Sequence, residues 1–424
     1  MNVLLISANT ETVNMIPLPL GLNCVAVATR NAGHVVHLLD LMGAGDNSKS
    51  IQETVRMFRP DVIGVSVRNI DNQQMAAPRF FLDPVRDIIA ICRKAASVPV
   101  VLGGAGFSIF PIAALRYLKA DLGICGEGEV AFPALLAALE QGKDLSSIAG
   151  LCYPDGKVQK NSPETTALSA LSFPDPSLWS VTAEAAENIW IPFQTRRGCP
   201  MKCSYCSTPA LEGITIRTHP IESVVAALEK HVAAGFSRFY FVDNTFNIPP
   251  KFAKELCRTI ISAKLDIHWR CILYPGFVDD EMVRLMAEAG CVEISLGFES
   301  GCPEILKNLN KKFVVDQVRV ASTLFKEHGI QRNGFLLLGG PGETKRTIFE
   351  SLSFADSLEL DMLKLTIGIR IYPETPLARI ATDEGQITTG DDLLAPRFYL
   401  AKGLEDWIEP TIRDWMGERP YCSA

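Results

Sequence analysis

The chain has 424 residues, of which 47% are hydrophobic and 21% charged, with a formal net charge of −7 at neutral pH. That length favours two or three domains over a single core, and the composition describes a folded chain rather than a disordered one. The negative balance and the lack of long basic blocks argue against a nucleic-acid partner, and no apolar run is long enough to cross a bilayer. The first residues read directly as a strand, without the basic region and cleavage site of a signal peptide, so a cytoplasmic location and no membrane partner are expected. There, twelve cysteines read as thiols or metal ligands rather than as a disulfide framework.

Residues 1–145 alternate short apolar strands with helical patterns, the signature of a parallel α/β sheet. Strands are predicted over 2–6, 35–40, 62–67, 98–102 and 122–125, and helices over 20–31, 51–58, 81–95, 112–118 and 129–140. In such a sheet ligands sit beyond the carboxyl ends of the strands. The loops at 7–10, 66–69, 103–106 and 126–128 are therefore expected to converge. Residues 146–188 lose this periodicity and carry Pro154, Pro163, Pro174 and Pro176, which reads as an irregular linker.

A second alternating series occupies 189–376. Strands are predicted over 189–194, 239–242, 267–271, 292–296, 334–338 and 364–371, and helices over 221–234, 251–263, 279–289, 316–328 and 345–358. Six β/α units in succession predict an incomplete TIM-type barrel with reactive groups at the carboxyl ends of its strands. Residues 377–424 read as a helical extension rich in Trp and Phe; Trp407 and Trp415 are spaced for one helix face.

After the first barrel strand comes Thr195-Arg-Arg-Gly-Cys199-Pro-Met-Lys-Cys203-Ser-Tyr-Cys206. Thiolates are the soft ligands that iron–sulfur clusters need. Three in one loop bind three irons of a cubane and leave the fourth open to a ligand. With twelve cysteines in the chain, this spacing arises by chance about once in a hundred times. A structural zinc site lacks a fourth Cys or His in a suitable arrangement; His219 is the nearest candidate.

The Cys-x3-Cys-x2-Cys spacing, with the aromatic Tyr205 before the last cysteine, resembles the radical S-adenosylmethionine (radical SAM) superfamily. The resemblance implies a 4Fe–4S cluster on Cys199, Cys203 and Cys206. S-adenosylmethionine would bind the open iron and be cleaved to methionine and a hydrogen-abstracting 5′-deoxyadenosyl radical. It also implies S-adenosylmethionine contacts at Tyr205, Asp243, Ser295, Glu299, Leu338, Gly339 and Arg370, with Asp243 near the methionyl amino group and Glu299 near the ribose. The alternative at each strand end is ordinary polarity or a helix cap. The usual Gly-Gly-Glu is absent at Phe241-Val-Asp243-Asn244.

The first domain resembles the Rossmann-like (flavodoxin-like) cobalamin-binding module of one radical SAM subclass, through 33–40, 63–72, 102–106 and 126–129. The resemblance implies cobalamin contacts at Thr10, Ser66, Val67, Arg68, Asn69, Gly103, Gly104, Gly126, Glu127 and Gly128. A generic flavodoxin-like domain is the alternative. Many such modules carry Asp-x-His-x-x-Gly after the first strand, the His supplying the lower cobalt ligand. Here that loop reads Ser7-Ala-Asn-Thr-Glu-Thr12. Arg68 or Asn69 at the end of the third strand is expected either on the lower face without coordinating or in a structural role, and His34 and His37 are expected to face structure or solvent.

Both modules in one chain imply methylation of an unactivated carbon of a small molecule, through methylcobalamin and the adenosyl radical, with an external electron donor such as a flavodoxin or ferredoxin. No residue is assigned to the chemical step itself. A cobalamin-dependent cyclase or rearrangement enzyme remains open, as does a cobalamin carrier or sensor. A tRNA methylthiotransferase is disfavoured because Cys24, Cys92, Cys125 and Cys152 form no second triad.

Overall fold

The computed structural model describes residues 1–11, 18–43, 45–157, 167–181 and 189–423. It forms two compact units, one of Met1–Asn72, Arg79–Ile189 and Ala210–Thr218, the other of Gln73–Pro78, Trp190–Pro209 and His219–Ala424.

The first unit is built from β1 (Asn2–Ser7), α1 (Leu20–Asn31), β2 (Val35–Asp40), α2 (Asn47–Phe58), β3 (Val62–Ser66), α3 (Leu82–Ala95) and β4 (Val100–Gly103). It continues with α4 (Ala105–Ile109), α5 (Pro111–Leu118), β5 (Leu122–Ile124), α6 (Gly128–Gln141) and β6 (Leu151–Cys152). The sheet order is β2-β1-β3-β4-β5-β6, with every pair parallel except the last. Successive side chains from Val3 to Ile6 are all buried, the unbroken apolar run that a parallel strand covered on both faces requires. This is a doubly wound order whose direction reverses between β1 and β3, so the loops leaving those two strands adjoin. The Ala8 amide donates to the Ser66 carbonyl at 3.3 Å. The predicted fold class is the one observed. The irregular stretch after α6 is tied to this unit by β6 and by Asn23, whose side chain pairs with both backbone groups of Asp175 at 3.0 and 2.8 Å.

The second unit carries β7 (Ile191–Phe193), α7 (Ile221–Ala233), β8 (Arg238–Phe241), α8 (Pro250–Ser262), β9 (His268–Leu273), α9 (Asp280–Glu288) and β10 (Cys291–Glu299). It then continues through α10 (Pro303–Asn308), α11 (Val315–Glu327), β11 (Gln331–Leu338), α12 (Lys345–Ser357) and β12 (Met362–Ile367). The six strands β7 to β12 lie side by side in chain order and pair in parallel, as expected of an open (β/α)6 barrel. The last segment holds α13 (Pro376–Asp383), α14 (Ile408–Gly417) and β13 (Cys422–Ser423), and β13 adds a seventh parallel strand beside β12.

Three elements depart from the predicted ones. The strand expected over 364–371 is cut at Gly368, whose φ of +73° turns the chain, and Ile369–Arg370 pairs antiparallel with Phe398–Tyr399 instead. The short helices α4 and α10 were not predicted, because neither spans enough residues to show a helical period.

Alternation along the strands decides what the second unit offers. Phe239, Phe241, Trp269, Cys271, Ile294, Leu296, Phe298, Leu336 and Leu338 are buried. The intervening Tyr240, Arg270, Ser295, Gly297, Glu299, Asn333 and Phe335 are partly accessible. The sheet therefore has one sealed apolar face and one open, more polar face. On the sealed face Trp269 lies against Phe241 and Phe246 at centroid distances of 5.1 and 4.9 Å, and its indole donates to the Ala289 carbonyl at 2.7 Å. Gly334 is required by this packing: a Cβ there would lie 2.4 Å from Leu360.

Candidate cluster and cofactor sites

The loop carrying Cys199, Cys203 and Cys206 follows β7. Its entry is fixed by Asp243 at the end of β8. That carboxylate accepts the Thr195 amide at 2.7 Å, the Thr195 hydroxyl at 2.6 Å and the Arg196 amide at 3.1 Å. The buried Arg196 guanidinium lies 3.4 Å away, donates to the Ile248 carbonyl at 3.0 Å and stacks on Phe252 at 4.5 Å. Gly198 and Lys202 take positive φ, +94° and +55°, and shape the turn between the cysteines.

The three thiols are partly accessible. Cys203 interacts electrostatically with Cys206, and Tyr274 with both Cys203 and Cys199, so all three share one neighbourhood. Among the described residues, no three His, Cys, Asp or Glu side chains converge on a single metal-ion position. A cubane makes no such demand, because each thiolate binds a different iron. Burial pushes the Cys203 thiol pKa up, and the Lys311 ammonium opposes that shift. A cation beside thiols suits a cluster of thiolate ligands, so the donor set fits the group that the motif implies.

A buried polar group adjoins the loop. The Tyr205 hydroxyl donates to Glu299 Oε1 at 3.0 Å, and Lys311 Nζ lies 2.9 Å from that hydroxyl and 3.1 Å from the same carboxylate oxygen. Burial acts against the Lys311 ammonium, but Glu299 and Tyr205 outweigh it and hold its pKa well above the usual lysine range. Glu299 sits at φ +62°, where the β10–β11 register shifts, and such an irregularity re-aims a side chain at a strand end. Tyr205 and Glu299 are thus brought together, and Ser295 shares the open face of β10 with Glu299.

The other residues expected to contact S-adenosylmethionine have partners within the fold. Asp243 is fully buried, and its oxygens organise the cysteine loop rather than facing a ligand. Leu338 has its side chain on the sealed face, while its carbonyl accepts the Gly368 amide at 2.8 Å. Gly339 donates its amide to Glu343 and accepts the Ala401 amide at 2.9 Å. Arg370 is buried and donates to the carbonyls of Ile371 and Leu393 at 2.6 and 2.8 Å. Each is a strand-end group that the fold itself consumes. Lys311 was missed because nothing in its local pattern marks it; only the return of the chain after α10 brings it to the cysteines. Trp407 packs edge-on against Phe349 at 5.5 Å, and Trp415 carries the Arg419 guanidinium at 4.0 Å, so both take part in local packing.

In the first unit a pocket opens where the β1 and β3 loops adjoin. Its lining includes Asn9, Thr10, Val67, Arg68, Asn69 and Phe81. A mixed lining, with Val67, Phe81, Pro84 and Val85 beside Asn9, Thr10, Glu11, Arg68 and Asn69, lies at the switch point where such sheets bind ligands, and it suits the amide-bearing edge of a corrin. Thr10, Val67, Arg68 and Asn69 line this one pocket, and no histidine is in the lining. His34 contacts the amino terminus at 3.3 Å, and His37 packs on Phe58 at 5.5 Å.

Ser66, Gly103, Gly104, Gly126, Glu127 and Gly128 lie outside that lining. Gly104 has φ +96°, and a Cβ there would lie 2.6 Å from the Val67 carbonyl oxygen. Close passage of β4 against the β3 loop therefore explains this glycine. Gly126 donates its amide to Ser108 at 2.9 Å. At Glu127 the Arg217 guanidinium takes both carboxylate oxygens, at 2.7 and 3.1 Å, in the forked geometry that matches a carboxylate.

Comparison with known proteins agrees with both halves of this reading. Residues 194–355 match the radical SAM superfamily, and residues 6–136 match the B12 binding domain. An uncharacterized methyltransferase of Pyrococcus horikoshii is 28% identical over 381 residues, covering 88% of this chain and 80% of the relative. The tryptophan 2-C-methyltransferase of Streptomyces laurentii is 25% identical over 434 residues, covering 86% and 72%. The solved radical SAM methyltransferase TsrM of Kitasatospora setae, bound to tryptophan and an S-adenosylmethionine analogue, superposes with a TM-score of 0.88 at 24% identity, covering 98% of this chain and 88% of that one.

Proposed function

Because the chain belongs to the radical SAM superfamily and carries a B12-binding domain ahead of that region, we propose that it methylates an unactivated carbon of a small-molecule substrate. The observation that carries this reading is the pairing, in one chain, of a corrin-type pocket free of histidine with a three-cysteine loop beside a polar, half-open sheet face. When bound, cobalamin supplies the methyl carrier, and S-adenosylmethionine on the 4Fe–4S cluster supplies the adenosyl radical that removes hydrogen.

This chain's own residues do the holding. Cys199, Cys203 and Cys206 hold the cluster. Tyr205, Ser295 and Glu299 receive S-adenosylmethionine, the Glu299 carboxylate being suited to two vicinal hydroxyls. Asn9, Thr10, Arg68 and Asn69 would hold cobalamin in the β1/β3 pocket. Asn333, Phe335 and Tyr240, on the open side of β11 and β8, bound the space left for substrate. An external one-electron donor of the flavodoxin or ferredoxin class reduces the cluster.

The test is anaerobic incubation of reconstituted protein with S-adenosylmethionine deuterated in its methyl group, in extracts of cells lacking the active protein. A product carrying three deuterons, formed together with S-adenosylhomocysteine and 5′-deoxyadenosine, supports methyl transfer. A product formed with 5′-deoxyadenosine but without label rejects it in favour of a cyclase or rearrangement.

A further inference from the structure

The strand-end segment after α10 grips the cysteine loop at three consecutive points. The Leu309 carbonyl accepts the Ser204 amide at 3.0 Å. Asn310 donates to the Lys202 carbonyl at 2.6 Å. Lys311 reaches the Tyr205 hydroxyl at 2.9 Å, and its charge acts on the neighbouring Cys203 thiol. The Lys311 side chain is only 6% exposed, so solvent screens its charge far less than that of a surface lysine. Its neighbour Lys312 is exposed.

We propose that Lys311 is a positioning residue that raises the reduction potential of the iron–sulfur cluster, through its buried ammonium against Cys203 with Glu299 as counter-charge. The proposal rests on the cluster assignment to Cys199, Cys203 and Cys206. Reduction adds one electron from the external donor to the cluster, with no bond made or broken, so the protein faces a site one unit more negative. A fixed, buried cation beside a ligating sulfur stabilises the reduced state more than the oxidised one, because the reduced site is one charge more negative. Glu299 opposes it: with the ammonium removed, its carboxylate would stand uncompensated beside the same sulfur.

Iron and sulfide content and an electron-paramagnetic-resonance-monitored redox titration of the cobalamin-loaded protein test this. Lys311→Gln should disfavour the reduced cluster about tenfold, a fall of roughly 59 mV for a one-electron couple. Lys311→Arg should stay near wild type, and Lys312→Gln, which removes the same charge from an exposed position, should not move the potential. Glu299→Gln should raise it, an opposite sign that loss of packing does not produce, and this variant decides the matter where Lys311→Gln fails to retain iron. Lys311→Gln with full iron and sulfide and an unchanged potential overturns the proposal, as does a potential that Glu299→Gln leaves unmoved or lowers. Failure of the underlying cluster assignment would register separately, as wild-type protein without stoichiometric iron and sulfide.

Discussion

Asp243 and Thr195 are joined twice, through the Thr195 amide at 2.7 Å and its hydroxyl at 2.6 Å, so a carboxylate at the end of β8 sets the start of the cysteine loop. Asp243→Asn would turn an acceptor into a donor facing those groups and leave the buried Arg196 without its counter-charge. Breaking a buried pair of this kind costs roughly 3 kcal/mol or more. A fall of several degrees in Tm and poorer iron retention are expected, both measurable on anaerobically purified protein. An unchanged Tm would show that Asp243 does not organise the loop.

Replacing Cys199, Cys203 and Cys206 together with Ala should abolish the broad iron–sulfur absorbance at the blue end of the visible spectrum. Buried Cys257 and Cys271 are core thiols whose pKa burial pushes up, and replacing them with Ala should leave the iron content unchanged. Iron and sulfide assays check both arms. Full iron in the triple variant would refute the motif assignment.

Cobalamin bound at the β1/β3 pocket should lack a protein imidazole on cobalt, because its lining contains no histidine. The electron paramagnetic resonance spectrum of the cob(II)alamin form should therefore show no nitrogen superhyperfine splitting from an axial ligand. Splitting that disappears in His34→Ala or His37→Ala would overturn this.

Glu343 provides a pH dependence. Burial pushes its carboxyl pKa up to about 7, against the opposing Gly340 and Gly339 amides, and its Oε1 is buried without a hydrogen-bond partner. A folded pKa above the unfolded value of 4.5 means that its contribution is fully present below about pH 4.5 and is lost as pH rises through about 7. The swing is roughly 3 kcal/mol at the linkage value per pKa unit. Urea denaturation at several pH values should show this loss between pH 5 and 8, and Glu343→Gln should remove that component.

The β/α alternation of both halves was legible in the sequence because burial imposes a local apolar period. Helix α1, Leu20–Asn31, was predicted to the residue. The three cysteines were legible because their chemistry lies in their spacing within one loop. The strand-end assignments were less so. Ser295 and Glu299 do face the open side, yet Asp243, Glu127 and Arg370 are spent on Thr195, Arg217 and the Leu393 carbonyl.

Sequence alone therefore determined the two-part α/β architecture, the three-cysteine spacing and the lack of a histidine after β1, all properties of composition and short-range spacing. Tertiary structure decided which polar side chains remain available to a ligand. A buried carboxylate or guanidinium must find partners wherever the chain brings them, and those partners come from distant segments. Lys311 is the clearest case: it meets Tyr205 across 106 positions of sequence, and only the folded β10–α10 return places its charge against Cys203.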